Sequence, residues 1–176
     1  MSDDIVILGG ARTAIGTFGG SLAGVSPIAL GAHAARAAMT RAGLSVIDAE
    51  PALRGMPPET ARRFGYGTYS ARTGNIYTVR QFRQLVEEML GLFTPALPAW
   101  EKDGRYWDAL RPGVEPEGLT SPEQVAEMRA QHLVTLGRAL EEADLLVFTL
   151  GLTEGWEHRE TGTAYPTAPG TIAGEY

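Results

Sequence analysis

Apolar and polar positions alternate along this chain in blocks that predict three kinds of element. Ile5-Val6-Ile7-Leu8 is a short β-branched and aliphatic run ending at Gly9-Gly10, which predicts a buried strand. A glycine-rich loop follows through Gly16, Gly19, Gly20 and Gly24. Ser26-Pro27 then offers an N-cap and a first-turn proline, and dense apolar residues from Ile28 to Met39 predict a helix that stops at Gly43. Val46-Ile47 reads as a second short strand. Residues 51–76, rich in Pro, Gly and Arg, read as irregular.

Further along, Thr78 can cap a helix whose Val79, Phe82, Leu85, Val86, Met89 and Leu90 share one face, with Gly91 as its stop. Residues 94–120 form a long proline-rich excursion, and Trp100, Tyr106 and Trp107 are its expected anchors to a core. Ser121-Pro122-Glu123 is a strong helix start: cap, proline, acid in the first turn. Val125, Met128, Leu133, Leu136 and Leu140 make the expected buried stripe. Leu145-Leu146-Val147-Phe148-Thr149-Leu150 is continuously apolar up to Gly151, as a central parallel strand would be. The order of strands and helices predicts an α/β fold with a mostly parallel sheet.

Composition narrows the chemistry. The 176 residues suit one folded unit, and 44% hydrophobic residues argue against a disordered chain. A net charge of -6 offers no basic face for nucleic acid and no polybasic membrane anchor. No apolar run reaches membrane-spanning length, and the acidic N-terminus is unlike a signal peptide, so a cytoplasmic location is expected. The chain has no cysteine, which removes thiol catalysis and zinc–cysteine sites. The glycine-rich loop contains neither G-x-G-x-x-G nor Gly-Lys-Ser/Thr, so no nucleotide cofactor is expected. The three histidines, His33, His132 and His158, are too scattered to predict a metal site. His33 and His132 fall in helices and read as packing or surface residues. His158 follows Trp156-Glu157 in a polar loop, where an acid–base pair with Glu154 is conceivable.

Two resemblances divide the chain near residue 44. Ala11-Arg12-Thr13-Ala14-Ile15-Gly16, Phe18-Gly19-Gly20-Ser21-Leu22 and Ala42-Gly43 place residues 1–44 close to the N-terminal strand, loop and helix of thiolases of the acetyl-CoA acetyltransferase type. None of that family's catalytic residues falls in this segment. Residues 45–176 resemble the bacterial GSCFA-domain family. The resemblance rests on Val46-Ile47-Asp48-Ala49-Glu50-Pro51, Arg63 to Arg72, Gly74-Asn75-Ile76-Tyr77-Thr78, Leu146 to Trp156 and Tyr165-Pro166.

The GSCFA family is similar to SGNH hydrolases, flavodoxin-like three-layer α/β enzymes that cleave esters. The resemblance therefore implies an SGNH-like fold, here incomplete and C-terminally truncated. It also implies oxyanion-hole residues at Gly74, Asn75, Gly151 and Thr153, with Glu154 in the same block as Gly151 and Thr153; the Glu154–His158 acid–base pair is a reading of the residues alone. The family's nucleophilic serine would fall near Ala29, about seventeen residues before Val46, where the thiolase-like segment stands instead. The family's histidine block is missing. The expectation is thus a recombined protein of hydrolase lineage without catalytic activity, with a small ester or acyl ligand as its partner. A thiolase-type fragment and a noncatalytic binding module are the alternatives.

Overall fold

The structure, a computed structural model, describes residues 9–17, 19–149, 151 and 154–174. Its first element is the helix α1 (Pro27–Arg41), formed where the Ser26-Pro27 start predicts it. The irregular stretch that follows contains one short helix, α2 (Pro58–Arg63). Helix α3 (Val79–Met89) begins with a full capping box. The Thr78 hydroxyl accepts from the Gln81 N–H, and the Gln81 side chain accepts from the Thr78 N–H.

The excursion is not loose. It folds into an antiparallel hairpin, β1 (Ala99–Lys102) and β2 (Arg105–Asp108), with Trp100 opposite Trp107. Asp103-Gly104 makes the two-residue turn, both with positive φ (52° and 73°). That is the geometry whose twist matches paired strands. The backbone of Tyr106 then bridges to Leu119, which folds the rest of the excursion onto the hairpin.

Helix α4 (Pro122–Glu142) is capped by the Ser121 hydroxyl. It packs on α3 and on the hairpin. A second small pair, β3 (Trp156–Glu157) and β4 (Ala164–Tyr165), closes beside α3. The core gathers Trp100, Trp107, Ala109, Tyr165 and Ala173, with Leu110 and Ile172 against it. Trp100 and Tyr165 tilt together with ring centroids 5.2 Å apart, a favourable aromatic geometry. The expected anchoring role of Trp100 and Trp107 is what the structure has, whereas Tyr106 is half-buried.

Several predicted elements differ. Ile5 to Leu8 lies outside the described residues. Val46-Ile47 is irregular. Residues 145–149 form no strand: Leu145, Leu146 and Val147 are 68%, 51% and 63% exposed, and Phe148 leans on Phe82 at 5.1 Å. A continuous apolar run becomes a buried strand only when neighbouring strands flank it, and among the described residues none does. Both sheets of the described residues are antiparallel pairs. The buried stripe of α4 is also displaced. It runs Val125, Arg129, His132, Leu136, Ala139, with Met128, Leu133 and Leu140 flanking it half-buried.

Candidate functional site

Two adjoining spaces meet at Asn75. The larger is a cleft of about 410 Å³ whose lining includes Ser26, Tyr69, Gly74, Asn75, Tyr77 and Thr167. That volume is within the usual range of small-molecule sites. Asn75 is held from both sides: the Tyr69 hydroxyl donates to its Oδ1 at 2.6 Å, and its Nδ2 donates to the Tyr77 hydroxyl at 2.7 Å. Burial, reinforced by the neighbouring Tyr77, pushes the Tyr69 phenol above its ordinary range, so it stays protonated and keeps donating. Gly74 adopts φ +68°, and an added Cβ would sit 3.1 Å from the Cβ of Arg111. Its backbone N–H meets no protein acceptor among the described residues. The Gly74 N–H and the second N–H of Asn75 are thus without a protein acceptor among the described residues, on two residues that line the cleft.

Gly151, Glu154 and His158 are not part of this arrangement. Gly151 does come close, but its N–H donates to the Tyr77 carbonyl at 3.0 Å and is spent. Thr153 lies outside the described residues. Glu154 is exposed, and the structure does not pair it with His158. The Nδ1 of His158 instead faces the Thr161 hydroxyl at 3.0 Å, while Glu157 pairs with Arg80. Hydroxyls of Ser26, Thr68 and Thr167 belong to cleft-lining residues, and no histidine lines it. Among the described residues there is also no group of His, Asp and Glu suited to a metal. No helix among them is long and apolar enough to cross a membrane.

Behind the cleft lies a buried ionic cluster that sequence reasoning missed. Asp108 accepts from Arg111 Nε at 2.7 Å, from Arg129 Nη1 at 3.1 Å and from the Leu110 N–H at 3.0 Å. Arg111 also donates to the carbonyls of Arg72 and Met128, and Arg129 forks onto Glu88. Arg72 in turn reaches Glu115 and the carbonyls of Phe64 and Val114. Burial opposes the charge on Asp108, but Arg129 and Arg111 outweigh it and hold the carboxyl below its usual range. The signal was present: Arg129 and His132 occupy the same helical face as Val125 and Leu136, and a polar residue on a buried stripe must find partners.

His132, 2% exposed, closes the cluster through Nδ1, 2.7 Å from Glu50 Oε2. Burial pushes the imidazole below the ordinary histidine range, and Arg111 and Arg129 add to this; the Glu50 hydrogen bond opposes it only in part. The ring is therefore neutral and Nδ1 is the donor. Burial likewise works against the Glu50 carboxylate. The donors from His132 and the Arg72 N–H, with Arg111 4.0 Å away, still hold it ionised below its usual range.

A histidine whose folded pKa is depressed is outcompeted for protons by the unfolded chain. Its stability contribution is complete above about pH 6.5 and drains as pH falls through the interval below. Urea midpoints measured from pH 7 to pH 5 are therefore expected to decline. The decline should be shallower in His132→Gln, and equal slopes in the two proteins would contradict this assignment.

Comparison with known proteins supports the GSCFA resemblance and echoes the thiolase one in part. The model of the GSCFA family matches residues 37–174. Among curated proteins, beta-ketothiolase BktB of Cupriavidus necator is 42% identical over 77 residues, covering 43% of this chain and 20% of that protein. The chain thus spans about a fifth of that relative's length. No solved structure matches the chain.

Proposed function

The chain belongs to the GSCFA family, and from that membership we propose a protein of SGNH-like ester-hydrolase lineage that binds an ester or acyl ligand and turns it over feebly or not at all. One observation carries the reading: Gly74 and Asn75, each with an unspent N–H, line a cleft whose described lining has hydroxyls but no histidine. Donors of this kind grip a carbonyl or carboxylate oxygen. A serine or threonine hydroxyl with no imidazole at the cleft to take its proton is a poor nucleophile. The flavodoxin-like architecture of the lineage is part of the same proposal.

Calorimetric titration with a short carboxylate such as butyrate, alongside hydrolysis of a short aryl ester, tests this. Saturable binding weakened about fivefold by Asn75→Ala is expected, the cost of roughly one hydrogen bond of about 1 kcal/mol. Rapid ester turnover abolished by the same substitution would overturn the noncatalytic part. The identity to a beta-ketothiolase favours a second reading, a thiolase-type fragment. That reading requires coenzyme A binding. It cannot use thiolate chemistry, because the chain has no cysteine.

A further inference from the structure

The second space at Asn75 is a cavity of about 30 Å³ between α3, α4 and the Thr73–Ile76 segment, bordered by His132, Asn75, Gln81, Arg111 and Arg129. Only Asn75, Arg111 and Pro166 are shared with the cleft, so they form the wall between the two. His132 borders this cavity while its Nε2, fully buried, meets no protein partner among the described residues. With Nδ1–H committed to Glu50, Nε2 carries the ring's lone pair and needs a donor.

A donor that could complete a bridge borders the same cavity. Gln81 spends its Oε1 on the N–H groups of Tyr77 and Thr78, and its Nε2 has no protein acceptor among the described residues. A lone buried acceptor, an under-used amide donor and a cavity that exceeds the space of one water probe, about 10–15 Å³, define a small-molecule site.

We infer that a single water is the ligand of this cavity, donating to His132 Nε2 and accepting from Gln81 Nε2. The molecule must be small, neutral and able both to donate and to accept. A cation is repelled by Arg111 and Arg129. An anion would set its own charge against the lone pair of Nε2. A hydrocarbon would leave the acceptor without a partner, at a cost of about 1–3 kcal/mol. The water ties the Glu50–His132 pair to the start of α3: Glu50 orients the ring, the ring orients the water, and the water holds the Gln81 amide whose Oε1 accepts from Tyr77 and Thr78. The site stands on the cavity and its hydrogen-bond inventory, and it holds whether or not the cleft binds acyl ligands.

Nitrogen and proton NMR of the whole chain, labelled in histidine, tests it without any substitution. The expected result is a neutral Nδ1–H tautomer with a hydrogen-bonded Nε2, and cross-relaxation from a long-lived water to the His132 ring protons. Gln81→Leu removes one donor and should shorten the water's residence while leaving the tautomer unchanged. Absence of any water cross-peak at His132, or entry of xenon into the cavity of the wild-type protein, would overturn the inference.

Discussion

Asp108→Ala is expected to destabilise the fold by about 3–5 kcal/mol, a large share of the roughly 5–15 kcal/mol that holds a typical domain folded. The carboxylate is 8% exposed and accepts from both Arg111 and Arg129, which are themselves 4% and 5% exposed. Removing it strands two guanidinium groups in a poor dielectric. Glu88 still faces Arg129, but Arg111 keeps only carbonyls and the more distant Glu50. Asp108→Asn keeps the shape and deletes the charge, so its loss should approach that of the alanine variant. A variant with Asp108, Arg111 and Arg129 all replaced by apolar residues of similar volume should recover much of the loss, because the cost lies in the unpaired charge. Denaturant midpoints of the set check this. Equal stability of Asp108→Ala and wild type would mean that water reaches the arginines. The Asp108 and Glu50 carboxyls are both held below their ordinary range. Their contribution is therefore full above about pH 4.5 and is lost as pH falls through the acid range below.

Local signals explain which parts of this fold were legible. The starts of α3 and α4 were written in short-range chemistry, a threonine capping box and a Ser-Pro-Glu run, and both helices begin there. The hairpin β1–β2 carries a strong turn signal, Asp103-Gly104 between two aromatic segments, but the surrounding prolines equally predict irregular structure. Residues 145–149 differ for the opposite reason. Their composition fits a central strand, yet a strand exists only by pairing, which is a property of distant residues. The same division applies to the site. Gly74 and Asn75 were marked by their motif, and they do line the cleft. Glu50, the Asp108–Arg111 pair and His132 come from three separate stretches of chain, and no spacing rule joins those stretches. His132 was assigned a packing role; its burial agrees with that, but its bond to Glu50 and its unpartnered Nε2 go beyond packing.

Gly118→Ala should cost about 2–5 kcal/mol, a large effect for one methyl group. Gly118 sits at φ +66°, a conformation that penalises any L side chain by about 1–2 kcal/mol. Its added Cβ would also lie 2.8 Å from Cζ2 and 2.9 Å from Cε2 of Trp107, inside contact distance. The indole cannot move aside easily. It is buried in the core that holds Trp100, Ala109 and Tyr165, and the Tyr106–Leu119 bridge fixes the backbone on either side of the contact. Overpacking of that kind adds about 1–3 kcal/mol. Gly104→Ala separates the two causes. Gly104 has φ +73° in the exposed hairpin turn, and nothing lies within 4 Å of its added Cβ. Only the conformational penalty applies there, so thermal melts should show a modest loss for Gly104→Ala and a distinctly larger one for Gly118→Ala. Identical losses would mean that the indole of Trp107 yields freely, and that the excursion is held to the core by its backbone bonds more than by its packing.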